Sequence, residues 1–399
     1  MPGFLRTLKL YPYFAMLMNC LFWMPVFFLY LSGKCGISGA LQLEAIYYCG
    51  VAGLEVPSGY FSDRIGRRIT LVIATVCLGA AYLLFALGNS FWVFAVAELF
   101  LAGGFAMASG TDTSLLYETL AIIGNKEAYL DRESFVTRLS FAGGAVAAAI
   151  GGAIALISLP MVYFASFITT IVMLVFLLLM VEPVDCTTKA PEITFSRQLK
   201  NLSIKAFSPQ LRFTFLFSIF IIILLHVPYE FYQVYLDKLN IRAGQKSLSP
   251  LISGFHMAAT MLISSWAVRL IPILLKRFSP KLVLLGFYTG ELILILAMAL
   301  VVHPVIAVLL IMRSLPRSVC WPIIRAEQAP VLDNSERATF LSMQSLAGRL
   351  AYSGVLFGIS GFTAEAKGDI RMPLLAASAL GGILLIILVL VKNRPAKKA

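Results

Sequence analysis

The sequence predicts an all-α membrane protein of twelve transmembrane helices in two pseudo-symmetric six-helix bundles. Three observations carry that prediction. Hydrophobic residues make up 59% of the 399 positions and charged residues only 13%, whereas a soluble domain of this size must present far more polar surface to water. Apolar runs recur at the length a bilayer requires, about 20 residues at about 1.5 Å each across roughly 30 Å of hydrocarbon. The basic residues behind the net charge of +12 fall in short clusters between those runs, as membrane topology demands, and not along one face as nucleic-acid binding would require.

On that rule the first six helices are expected near 10–32, 41–62, 69–89, 91–119, 134–158 and 160–182, and the second six near 211–236, 249–274, 280–301, 304–325, 338–362 and 372–392. The fourth is long for a single span. The first apolar run exceeds a signal-peptide core and reads as an uncleaved helix. Between the sets, Glu182–Lys205 is the longest polar stretch. It divides the chain into a bundle over 1–183, a linker over 184–210 and a second bundle over 211–399. The short links 88–91, 158–160 and 302–304 hold no Lys or Arg and read as tight hairpins on one side. Arg64, Arg67, Arg68, Lys126, Arg132, Lys276, Arg277, Arg337 and the basic C-terminus collect on the other. The positive-inside rule makes that side cytoplasmic, with both termini inside and the chain multi-pass in the cell membrane.

The halves align weakly. Arg132-Glu-Ser-Phe-Val-Thr-Arg-Leu-Ser-Phe-Ala-Gly143 matches Arg337-Ala-Thr-Phe-Leu-Ser-Met-Gln-Ser-Leu-Ala-Gly348 at Arg, Phe, Ser, Ala and Gly. Both segments open the fifth helix of their half. Paired six-helix halves are a transporter pattern, with the site at the repeat interface.

Between the second and third expected helices stands Gly59-Tyr60-Phe61-Ser62-Asp63-Arg64-Ile65-Gly66-Arg67-Arg68-Ile69-Thr70-Leu71. It resembles the signature loop of the major facilitator superfamily, G-x-L-A-D-R-x-G-R-R/K-x-x-L, with Phe and Ser in place of Leu and Ala. The resemblance implies twelve helices, alternating access, and a loop that latches the cytoplasmic side through Asp63 and Arg67. Gly59 would let its helix approach a neighbour and Gly66 would permit the tight turn. Helix five resembles the motif of drug/proton antiporter-type members, G-x-x-x-G-P-x-x-G-G, with Gly143, Ala147, Ala148, Gly151 and Gly152 in its places. The proline is lost, and with it part of the case for export. The arginine that many members carry mid-way along helix four has no counterpart near Glu98.

Charges inside hydrocarbon cost about 2.5–3.5 kcal/mol each on insertion scales and need a reason. Glu55, Asp112, Glu118 and Arg138 lie near the cytoplasmic surface and are expected to join Arg67 and Arg68 in one gating cluster, or in a permanent structural network. Deeper lie Glu98 on helix four and, on helix seven, His226, Tyr229, Glu230 and Gln233. His226 with Glu230, and Tyr229 with Gln233, share faces by i,i+4 spacing. Glu230 is the leading expected proton carrier. Arg313 and Arg317 are expected on one buried face of helix ten, where they would meet a carboxylate or an anionic substrate, and Glu291 could neutralise Arg313. Helix one offers an aromatic face, with Trp23 and the polar Asn19 as solute contacts.

Three histidines with no HExxH, no GxSxG, no nucleotide loop and no ligand-spaced cysteines argue against an enzyme, a metal site or a cofactor. The expected function is secondary transport of a small organic solute by a monomer in a lipid bilayer. The leading form is proton-coupled export of an amphipathic compound. The alternative is proton-coupled transport of an organic anion, such as a carboxylate metabolite or siderophore.

Overall fold

The computed structural model describes residues 2–125, 128–183, 195–244, 246–328, 331–332, 334–365 and 369–391. Sixteen α-helices and three short 3-10 turns make up the described secondary structure, with no strand among the described residues. In the first half run α1 (Pro2–Met18), α2 (Phe27–Ile65), α3 (Arg67–Leu87), α4 (Phe91–Ala108), α5 (Thr111–Ile122), α6 (Tyr129–Ala155) and α7 (Leu159–Leu179). Then come α8 (Phe195–Ala206), α9 (Arg212–Arg242), α10 (Ser249–Ala267), α11 (Ile271–Arg277), α12 (Pro280–Leu300), α13 (Pro304–Leu309), α14 (Leu315–Gln328), α15 (Asn334–Glu365) and α16 (Arg371–Leu390).

Nine helical stretches among the described residues are long and apolar enough to cross a membrane. The remaining three expected positions fall on α1, α2 and α15. The first expected helix is not continuous. α1 stops at Met18, residues 19–26 make tight turns, and the chain resumes as α2. α2 is two helices meeting at Gly36, whose φ of 73° and ψ of 167° no β-carbon residue adopts readily. The long fourth run breaks in the same manner at Gly110 (φ 78°), separating α4 from α5. The expected loop over 182–205 ends in a helix, α8, which seats Leu202 and Ala206 against Phe215 and Phe340.

The described chain divides into two compact units: Met1–Thr188 with Gln245–Ala259, and Lys189–Gly244 with Thr260–Ala399. In the first, α1, α3, α5, α6 and α7 share a core around Tyr11, Phe14, Leu71, Leu116 and Leu177. Lipid tails are as apolar as this core, so close packing rather than water exclusion holds such helices together. Small residues supply it. A β-carbon at Gly143 would lie 2.5 Å from Met16, one at Gly151 2.0 Å from the Phe22 carbonyl oxygen, and one at Gly254 2.6 Å from the Ala148 carbonyl oxygen. The last contact explains why residues 245–259 group with the first unit.

Candidate functional site

The basic turn between α2 and α3 is built from the α3 end outward. Gly66 holds φ 99°, which lets the chain reverse direction and points the first α3 amides at Glu182. The carboxylate of Glu182 accepts from the Arg67 amide (2.6 Å) through Oε1 and from the Arg68 amide (2.8 Å) through Oε2. An acid placed there satisfies two otherwise unbonded donors and meets the positive end of the helix dipole. Glu182→Ala is expected to cost about 1–2 kcal/mol, as loss of a charged cap does. A lowered melting temperature in detergent would report it, and an unchanged one would show the cap to be idle.

Arg67 pairs with Glu118 at 3.0 Å, the side chains being 13% and 23% exposed, and Nη1 also donates to Ser62. That pair joins two members of the cluster expected around this turn. Arg68 donates to the carbonyls of Leu177 and Leu178 at the end of α7. Asp112 accepts from the Thr113 amide just past the Gly110 break, and Glu55 has a buried Oε2 with no hydrogen-bond partner among the described residues. Arg64 and Arg138 are exposed. Gly59 and Asp63 lie on α2, but their side chains, and so the expected role of Asp63, fall outside the described residues.

Deeper in the first unit, Glu98 on α4 is 2% exposed and Glu44 on α2 is 6% exposed. Each carboxyl lies within the electrostatic reach of the other, and Tyr163 on α7 within reach of both. Glu44 had no place among the sequence-derived candidates. Around Tyr163 the walls are aromatic: Phe85 stacks at 5.0 Å, Tyr30 lies at 5.2 Å and Trp23 at 6.2 Å. The Tyr30 hydroxyl is fixed by the Phe85 carbonyl at 2.7 Å. Trp23 is therefore part of this core, where its ring also lies 6.4 Å from that of Tyr82. Asn19 is exposed, and one N–H of its amide donates to the Ala15 carbonyl at 2.9 Å at the end of α1.

In the second unit, Glu230 and Gln233 on α9 are fully buried, and Gln233 donates to the Tyr232 hydroxyl at 3.4 Å. His226 bonds the Ile222 carbonyl at 2.7 Å, and its ring lies 4.7 Å from that of Tyr352 and 6.3 Å from that of Tyr229. The charges of Arg317 and Arg349 reach His226. Arg313 and Arg317 do not share a buried face: Arg313 is buried and Arg317 exposed. A 3-10 turn over Leu310–Met312 and the new start of α14 at Leu315 shift the helical phase between them. The Arg313 Nη1 donates to Thr260 Oγ1 (2.8 Å) and the Leu310 carbonyl (3.0 Å), and the guanidinium lies 3.9 Å over the Tyr232 ring. The charge of Arg313 also reaches Glu291 on α12. At the edge of this unit Lys238 pairs with Asp369 at 3.4 Å. Partial burial pushes the Asp369 carboxyl up, but the Arg371 amide and Lys238 outweigh it and hold the group below the usual carboxylate range. No set of three or more metal-ligating side chains occurs among the described residues.

Apolar helices of spanning length with carboxyls and a guanidinium buried among them define a multi-spanning membrane transport protein. Residues 13–269 match the family model of the Major Facilitator Superfamily, well over half the chain. The protein belongs to the major facilitator superfamily and is a transporter rather than an enzyme. Its fold is similar to a mutant of the nucleoside transporter NupG (TM-score 0.81, 14% identity, 96% of this chain and 99% of that one). It is also similar to a D-xylose-proton symporter (0.71, 14%, 99% and 98%) and to the peptide transporter POT in complex with sulfate (0.70, 14%, 98% and 95%). In sequence it is 41% identical over 93 residues to a Na(+), Li(+), K(+)/H(+) antiporter of Planococcus maritimus, a match spanning 22% of this chain and 21% of that protein.

Proposed function

We propose that the protein is a proton-coupled antiporter that exports an amphipathic organic solute by alternating access, with Glu44 and Glu98 as its proton site. The observation that carries this reading is the burial of those two carboxyls within reach of each other and of Tyr163. Two like charges cannot both be ionised at small cost in such a place. The pair is therefore most stable holding one proton, or one positive charge brought by a solute, and the two compete. Competition at a shared carboxyl is sufficient for exchange, since each ligand shifts the balance of states by its differential affinity. The aromatic wall of Tyr163, Phe85, Tyr30 and Trp23 suits an apolar solute body, and the partial relative's name, a cation/H(+) antiporter, supports exchange for protons. The positive-inside bias of the α2–α3 turn supports a cytoplasmic placement of that end and of both termini in the plasma membrane. One chain suffices.

A second reading, an organic anion as solute, is favoured by Arg317 and Arg349 beside His226. Proteoliposomes carrying a pH gradient separate the two when cationic dyes and organic anions are offered in parallel. Gradient-driven movement of the dyes, abolished by a protonophore, is expected. Movement of the anions alone would install the second reading, and no response of either to the gradient would defeat proton coupling.

A further inference from the structure

The second unit carries a cavity of about 590 Å³ between α12 and the α11 and α14 segments, walled almost wholly by apolar groups such as Phe278, Leu282, Phe287, Met312 and Pro316. That volume is in the range of small-molecule sites. α12 opens it with Gly286 and Gly290, four residues apart; a β-carbon at either would meet no atom within 4 Å. In membranes such a glycine pair normally lies packed on a neighbouring helix, and here it faces open space. Glu291 belongs to the same wall, is 3% exposed, and has Oε1 buried without a hydrogen-bond partner among the described residues. Arg313 is the basic group whose charge reaches it. That guanidinium is engaged by Thr260, the Leu310 carbonyl and the Tyr232 ring.

We propose that this groove is a bilayer-facing binding site for an amphipathic organic cation, whose apolar body lies over Gly286 and Gly290 and whose single positive charge meets Glu291. A buried carboxylate in an apolar wall is best satisfied by a cation, and a carboxylate takes up one positive charge. The source is a free solute dissolved in the hydrocarbon, not a lipid headgroup. Glu291 stands mid-way along α12, about 15 Å from either end at roughly 1.5 Å per residue, well below the depth at which headgroup ammonium groups sit. The site lies in the opposite unit from Glu44 and Glu98, and its occupancy needs no transport.

A diazirine-bearing dodecyltrimethylammonium, photolysed with the full chain in lipid nanodiscs, tests this. Labelling is expected on the peptides that contain Phe287 and Met312. It should fall about tenfold or more with Glu291→Gln, as removal of one member of a buried charge pair does, and likewise for the uncharged 3,3-dimethylbutyl isostere of the probe. Gly286→Leu, which fills empty space, gives a second readout that leaves α12 intact: labelling lost, melting temperature kept. Equal labelling by the isostere, or labelling of Glu291→Gln at the parent level, would show a groove filled by lipid tails and overturn the proposal. So would label confined to other helices, or a groove closed by a second copy of the chain that Gly286→Leu dissociates.

Discussion

Glu98→Gln is expected to reduce transport driven by a pH gradient sharply while leaving solute exchange without a gradient nearly intact. Gln keeps the shape and hydrogen-bonding capacity of the protonated acid and removes only the ability to give the proton up. Glu98 is 2% exposed and within electrostatic reach of a second buried carboxyl, Glu44, so on the proposed mechanism the exchangeable proton belongs to the pair rather than to either group. Coupling between sites is typically worth about 1–3 kcal/mol, or roughly 5–150-fold in affinity, and losing it should reduce gradient-driven accumulation by a factor in that range. Glu44→Gln should act in the same sense. The double variant should be little worse than either single one, because electrostatically coupled groups that act as a unit are not additive. Accumulation under an imposed gradient, compared with counterflow at uniform pH, is the measurement. If Glu98→Gln kept full gradient-driven accumulation while Glu230→Gln lost it, the proton site would lie on α9 in the second unit, and the pair would be structural.

Hydropathy located the apolar runs because a bilayer imposes one length on every spanning helix, and that signal survives any local irregularity. The same averaging hid the irregularities. The turns at residues 19–26, the break at Gly36, the separation of α4 from α5 at Gly110 and the 3-10 turn at Leu310–Met312 each occupy only a few residues inside an apolar window. They matter to the site. The first places Trp23 against Tyr163 instead of on a lipid-facing helix, and the last turns Arg317 away from Arg313. Charges were legible one at a time but not in pairs. Glu44 lies near one end of its run, where an acid reads as interfacial, and only the packing of α2 on α4 brings it within electrostatic reach of Glu98. Glu182 sits 115 residues from the Arg67 amide it accepts from, a contact no local pattern announces.

Gly151→Ala is expected to be among the most damaging single changes in the chain, although it adds one methyl group. The new β-carbon would sit 2.0 Å from the Phe22 carbonyl oxygen and 2.8 Å from its carbon, and backbone cannot swing aside as a side-chain tip can. Overpacking of this kind costs about 1–3 kcal/mol where side chains give way, and more where they cannot. The gain in helix propensity from Gly to Ala, about 1 kcal/mol, does not offset it. Gly358→Ala on α15 is the matched control: nothing lies within 4 Å of a β-carbon there, so only the propensity gain remains and the variant should be neutral or slightly more stable. Yield and melting temperature by fluorescence-detected size exclusion would show the contrast, and a Gly151→Ala protein melting with the parent would refute it. The damage should also reach function. α6 holds residues 19–26 in place through Gly151, those residues carry Trp23, and Trp23 packs on Tyr163 at 6.2 Å within reach of Glu44 and Glu98. A variant rescued by low temperature should therefore still transport poorly. That result would assign the small-residue stripe of α6 the task of positioning the aromatic wall, which is a packing role that requires no proline at Ala148 and does not itself fix the direction of transport.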